Sequence, residues 1–215
     1  VWAGIVGTVQ ALINNGGFGL RFPERCPDGQ AICGCDPDAL AATVKTEIPG
    51  LIWPLETTRV IEEGWISECH PFAPETLFIL DFIEFVYASI AKPIPGKHHD
   101  YFNHHHLTFD QQAGQEEFRA TINRFFARNG IAFEMLLTGR IIRVLPVVLG
   151  EELERAVFRT GDITLDNMLE ECRTKFTDRN PLVRSEALER LSDAWERHKS
   201  MADPKDKKKT IKNNL

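Results

Sequence analysis

The stretch LFILDFIEFVYASIA, residues 77 to 91, is apolar around nearly its whole circumference when wound as a helix, with Asp81 and Glu84 as the exceptions. Such a helix cannot lie on a surface. Other segments must cover it from several sides, so it belongs at the centre of a core. It is also shorter than the roughly 20 apolar residues a membrane-spanning helix needs. A chain of 215 residues is long enough to provide the cover, as one large domain or two small ones.

Helices that could supply it are legible nearby. Asp36 is an N-cap, Pro37 suits the first helical position and Leu40 begins an apolar face, with an end expected before Pro49 and Gly50. Phe118, Ile122, Phe125 and Phe126 form one stripe of a helix over 111 to 128, which Gly130 terminates. Residues 131 to 146 change period and read as a β-hairpin turning at Thr138-Gly139, a continued helix being the alternative. In that register Leu137 faces Arg140, Met135 faces Ile142, Phe133 faces Val144 and Glu134 faces Arg143. A short helix over 147 to 158 follows Pro146.

Beyond residue 160 the chain is plainly helical. Leu165, Met168, Leu169, Cys172 and Phe176 make one stripe; Val183, Ala187, Leu188, Leu191, Ala194, Trp195 and His198 make another. Asn180 and Pro181 start the second helix, so an antiparallel pair is expected, with Glu186–Arg190 and Asp193–Arg197 at i, i+4 on the wet side. The fold class is therefore mainly α (α+β). A helical N-terminal domain with a small β-hairpin occupies residues 1–160, and an antiparallel helix pair begins a bundle over 161–215. Residues 1 to 74 carry only a weak pattern.

A net charge of -6 argues against a general polyanion binder. Five cysteines, an odd number, make no disulfide framework, and no secretory leader opens the chain, so a reducing cytoplasm is expected and no membrane. The chain opens on Val1 and closes on KDKKKTIKNNL as an amphipathic pattern restarts, which reads as a fragment cut at both ends.

Chemistry could reside in four places. KHHDYFNHHHLTFD, residues 97 to 110, holds five of the seven histidines; in an extended segment His104 and His106 point the same way, with Asp100 nearby. The spacing lacks the two histidines four apart on a helix that mark a metal site, and no metal or other cofactor is favoured. Cys26, Cys33 and Cys35, with Cys69 and His70, could complete a zinc set, but their spacings are not those of paired knuckles. Asp81 and Glu84 share one side of the apolar helix and could join His104 and His106 in a metal-dependent hydrolase. Arg119, Arg124 and Arg128, with Arg140 and Arg143 on the hairpin, sketch a winged-helix-like nucleic-acid grip.

Four stretches resemble bacterial proteins related to the abortive-infection protein AbiJ, an AbiJ-type N-terminal domain followed by a HEPN domain. They are ILDFIEFVYASIAKP (79 to 93), HDYFNHHHLTFD (99 to 110), GQEEFRATINRFFARNGIAFEMLLTGRIIRVLP (114 to 146) and LDNMLEECRTKFTDRNPLVRSEALERLSDAWERHKSM (165 to 201). The last is similar to a family run of Trp-Asp-Ala-aromatic-Glu-Arg, with Ser192 in place of the tryptophan and Asp193, Ala194, Trp195, Glu196 and Arg197 in step. The likeness spans roughly 79 to 215 and leaves out the cysteine-bearing first third.

What the resemblance implies is a sensor for a phage-derived or nucleotide signal that controls a HEPN ribonuclease acting on RNA. Such a nuclease works without metal, through an arginine and a histidine four to six residues apart. No such pair occurs in residues 161–215, where His198 follows Arg190 by eight positions and Arg197 by one. The fragment is therefore expected to be non-catalytic. Ligand contacts are expected from His104, His106, Asn123, Arg140 and Arg143, and a homodimer through the C-terminal helices around Leu188, Leu191 and Trp195.

Overall fold

A computed structural model describes residues 1–63 and 66–202. The apolar segment forms helix α3 (Thr76–Ser89), counting elements along the chain, and Leu80, Phe82, Ile83, Phe85 and Val86 are all buried. Its cover comes from three other helices. Helix α1 (Trp2–Asn14) contributes Trp2, Ile5 and Val9, α2 (Pro37–Glu47) contributes Leu40 and Val44, and α4 (Gln111–Arg128) contributes Phe118, Ile122 and Phe126. The rings interlock: Trp2 meets Phe82 edge-on at 6.1 Å, and Phe82 stacks on Phe85 at 6.4 Å. Each such side chain, fully buried, is worth about 1.5–3 kcal/mol.

Local signals act where the sequence places them. The Asp36 carboxylate accepts from the N–H groups of Asp38 and Ala39, both at 3.0 Å, satisfying donors that the first helical turn leaves open. Gly130 takes φ +63° after α4. The weak pattern read over the first 74 residues is corrected by α1, whose Trp2, Ile5 and Val9 line one face although Gly4 and Gly7 dilute its helix propensity.

The sheet content exceeds the single expected hairpin. Strands β1 (Pro23–Arg25) and β2 (Ile32–Cys35) join β5 (Lys92–His99) and β6 (His104–Asp110) in an antiparallel sheet of order β1-β2-β6-β5. The histidine-rich segment is thus two paired strands, not a loop. Pro93 and Pro95 lie on β5, an edge of that sheet, where a missing N–H is tolerated. Strands β3 (Thr58–Glu63) and β4 (Ile66–Pro71) form a separate hairpin.

The hairpin after α4 exists, as β7 (Phe133–Met135) and β8 (Ile141–Arg143), in a different register from the one read above. Leu136 N–H donates to the Arg140 carbonyl at 2.9 Å, and Gly139 N–H to the Leu136 carbonyl at 3.0 Å. The loop therefore holds three residues, with Gly139 at φ +83°, and the extra residue shifts every side chain beyond it to the other face. Met135 and Ile141 are buried as a result, whereas Ile142 and Val144 are exposed.

The chain divides into compact units at Val1–Ile141 and from Ile142 onward. The second contains α5 (Val147–Arg155), α6 (Ile163–Phe176) and α7 (Pro181–Ala202). Helices α6 and α7 run antiparallel, because Asp162, Glu171 and Cys172 meet Arg197, Arg190 and Ala187 in reverse order. Arg190 and Arg197 reach across to Glu171 and Asp162, and Glu186 takes Lys175 of α6, so these charges hold the two helices together as well as facing water. Asn180 caps α7 through the N–H of Leu182. The terminal KDKKKTIKNNL lies outside the described residues.

Three outcomes test this packing. Ile83→Ala is expected to cost about 2–5 kcal/mol in denaturant unfolding, because the residue is fully buried in α3. Gly139→Ala should cost about 1–3 kcal/mol, since it forces a Cβ onto the Tyr87 ring at positive φ. The bond from Arg197, aided by the Leu165 N–H, lowers the Asp162 carboxyl from 3.8 to about 2. The unfolded chain then binds more protons over that interval, so the stabilisation is complete above about pH 4 and is lost as pH falls through about 2. Acid titration of the α6–α7 unit should show this loss, and Asp162→Asn should flatten it.

Candidate functional site

Strand alternation and hairpin pairing bring three histidines onto one face. His104 and His106 are two apart on β6 and point the same way, and His99 on β5 is the register partner of His104, so it stands beside them. The four-residue connection, Asp100 to Asn103, closes with Asn103 at φ +51°, its N–H donating to the Asp100 carbonyl at 3.3 Å. Asparagine tolerates that left-handed conformation better than most residues. The ring centroids of His99, His104 and His106 lie 5.5 to 5.7 Å apart.

The fourth member comes from the β1–β2 connection. There the Cys26 N–H donates to the Ala31 carbonyl at 2.8 Å and the Gly29 N–H to the Cys26 carbonyl at 3.1 Å, a turn that holds Cys26 in place. The buried Cys26 Sγ lies 3.3 Å from His99 Nδ1. One ligand atom from each of Cys26, His99, His104 and His106 fits within 4.8 Å of all the others. The Nε2 atoms of His104 and His106 are buried with no hydrogen-bond partner among the described residues, a costly arrangement for a polar atom.

The surroundings of His104 favour its neutral form. Burial, and then the neighbouring His99 and His106, hold the His104 pKa below its ordinary value. Phe102 packs edge-on against His99 at 5.1 Å and stacks on His104 at 6.0 Å. His99 Nε2 faces the Asp28 carboxylate at 3.5 Å. The other face of the hairpin is different in kind: His98 Nδ1 pairs with Asp100 at 2.7 Å, and His105 Nδ1 with the Gly96 carbonyl at 3.1 Å.

The remaining residues singled out in the sequence lie elsewhere. Cys33 Sγ meets the Glu24 carbonyl at 3.6 Å, while Cys35 is buried in the core, where desolvation pushes its thiol up to about 11. Cys69 is exposed on β4 and His70 pairs with Glu68. Asp81 and Glu84 stay on α3, and Glu84 accepts the Ile141 N–H at 2.7 Å, so the fold gives His104 and His106 Cys26 and His99 as companions instead. Arg140 is exposed, whereas Arg143 donates to the Phe176 carbonyl and lies over the Phe176 ring. Asn123 uses both ends of its amide on Met135, donating to the carbonyl at 3.0 Å and accepting the N–H at 2.8 Å.

Sequence reasoning named His104 and His106 and did not join Cys26 or His99 to them. The signal that would have found His99 is DYFN, where the turn formers Asp100 and Asn103 bracket a connection between two strands. Cys26 is 73 positions from His99, and no local spacing connects them.

Residues 1–159 match the family model described as AbiJ N-terminal domain 4. The chain belongs to that family. No curated protein and no solved structure matches it. An AbiJ N-terminal domain identifies an abortive-infection protein. The match runs through the cysteine-bearing first third, which the resemblance in sequence left out, and takes in Cys26 together with the histidine hairpin. Helices α6 and α7 fall beyond its end.

Within this AbiJ domain Asn123 ties α4 to β7. Asn123→Ala should leave the buried Met135 N–H and carbonyl without this side chain's two bonds and cost about 1–3 kcal/mol in denaturant unfolding, and Asn123→Asp should cost less because it still accepts the N–H.

Proposed function

We propose that residues 1–159 are the sensing and regulatory region of an abortive-infection protein and that they control a HEPN-type ribonuclease. The family match over those residues carries the proposal. The AbiJ-like domain is followed by an antiparallel helix pair, α6 and α7, that leaves Leu188, Leu191 and Trp195 exposed, an apolar strip suited to further helices or to a second copy of the chain. A homodimer through these helices is the partner we assign, with RNA as the substrate of the nuclease and a phage-derived or nucleotide signal as the trigger. The boundary between sensor and effector is set near residue 160.

Cleavage is assigned to HEPN residues other than these, because 161–215 lack an arginine four to six positions from a histidine. The action belongs in the cytoplasm, where phage RNA is made. No helix among the described residues is long and apolar enough to cross a membrane. A nucleic-acid wing draws no support from Arg143, which is engaged with Phe176.

The test is a phage challenge of bacteria expressing the complete coding region. Protection is expected, and deletion of residues 1–159 should uncouple growth arrest from infection, leaving cells either unprotected or arrested without phage. The purified 215-residue chain should not cleave RNA. Turnover of RNA by that chain alone, or protection unchanged by the deletion, would refute the assignment.

A further inference from the structure

We propose that Cys26, His99, His104 and His106 form a closed, four-coordinate zinc site that clasps the β1–β2 turn to the β5–β6 hairpin. Four observations converge on it. The donor atoms already cluster within 4.8 Å, and tetrahedral coordination with Zn–S near 2.3 Å and Zn–N near 2.0–2.1 Å needs separations of roughly 3.3–3.6 Å. The 3.3 Å between Cys26 Sγ and His99 Nδ1 is at that spacing already, and no other separation exceeds 4.8 Å, so binding needs shifts of about 1.5 Å at most.

The two buried Nε2 atoms, which have no hydrogen-bond partner among the described residues, are the atoms that would bind, and coordination gives each a partner. His99 presents Nδ1 to the cluster and Nε2 to Asp28, the carboxylate–histidine arrangement that orients a metal ligand from behind. Charge also balances: a zinc dication is matched by one thiolate and the Asp28 carboxylate.

One sulfur and three imidazole nitrogens make a borderline-soft set that suits zinc over magnesium, calcium or manganese. Binding forms one Zn–S and three Zn–N bonds, displaces water from the hydrated ion and releases the Cys26 thiol proton to solvent. With four protein ligands no position remains for a water nucleophile, so the metal's role is structural. Zinc would join segments 73 residues apart in the chain, which local hairpin pairing cannot do.

The test uses the 215-residue chain purified without a polyhistidine tag. Elemental analysis should find about one zinc per chain, and chelation should lower the melting temperature, with zinc restoring it. Cobalt titrated into the metal-free chain should give tetrahedral visible bands and a thiolate-to-cobalt band in the near ultraviolet; this reading requires no variant to fold. Cys26→Ser should abolish the thiolate band, and Asp28→Asn should weaken zinc binding about 10- to 100-fold. His98→Asn and His105→Asn, on the opposite face, should leave zinc content unchanged. A wild-type chain that takes up no stoichiometric zinc after reconstitution, an octahedral cobalt spectrum without the thiolate band, or equal zinc loss from His98→Asn and His104→Asn would overturn the site.

Discussion

The need to bury α3 on nearly all sides organises the first unit. A helix with one apolar stripe can be satisfied by one neighbour; a helix carrying Leu80, Phe82, Ile83, Phe85 and Val86 is apolar over most of its circumference and must be covered from several sides. Helices α1, α2 and α4 each contribute a short apolar row to it. The polar residues of α3 are absorbed into the same scheme. Glu84 accepts a backbone N–H from Ile141, and Ser89 takes a hydrogen bond from Arg21 at 2.7 Å while donating to the Phe85 carbonyl. Glu84, which the sequence offers as a partner for His104 and His106, sits where its carboxylate serves the packing.

Legibility in the sequence follows the range of the interaction. Caps and helical stripes are local, so α2, α4, α6 and α7 could be read directly from Asp36, Phe118, Leu165 and Pro181 and their neighbours. α1 was obscured by Gly4 and Gly7. The β7–β8 pairing was half legible: its existence follows from the change of period, but its register depends on whether the turn holds two residues or three. Gly139 in the left-handed conformation sets it at three. One residue there decides whether Ile141 or Ile142 enters the core.

The candidate site was legible to the same degree and for the same reason. Alternation along an extended strand was enough to put His104 and His106 on one face, and that placement holds. Finding His99 required the hairpin, and finding Cys26 required the order of strands in the sheet, neither of which has a local signature. A search by ligand spacing was bound to fail. The four residues come from two hairpins, and their proximity is a property of the fold.

That origin bears on what the cluster is for. Strand β5 is poorly equipped to hold itself in place: Pro93 and Pro95 donate no N–H, the pairing with β6 is irregular between Pro95 and His98, and most of the strand is exposed. Between β2 and β6 the register contact is Ile32 with Leu107. Backbone pairing with β6 is interrupted along β5, and little apolar burial reinforces it there. What concentrates there instead is a buried thiol, three inward imidazoles, an aromatic ring stacked on one of them and a carboxylate behind another. Polar atoms would be expected to face water at an exposed hairpin unless something repaid their burial. Their inward orientation, beside an outward pair of histidines on the same two strands that do find hydrogen-bond partners, distinguishes a built centre from a histidine-rich surface.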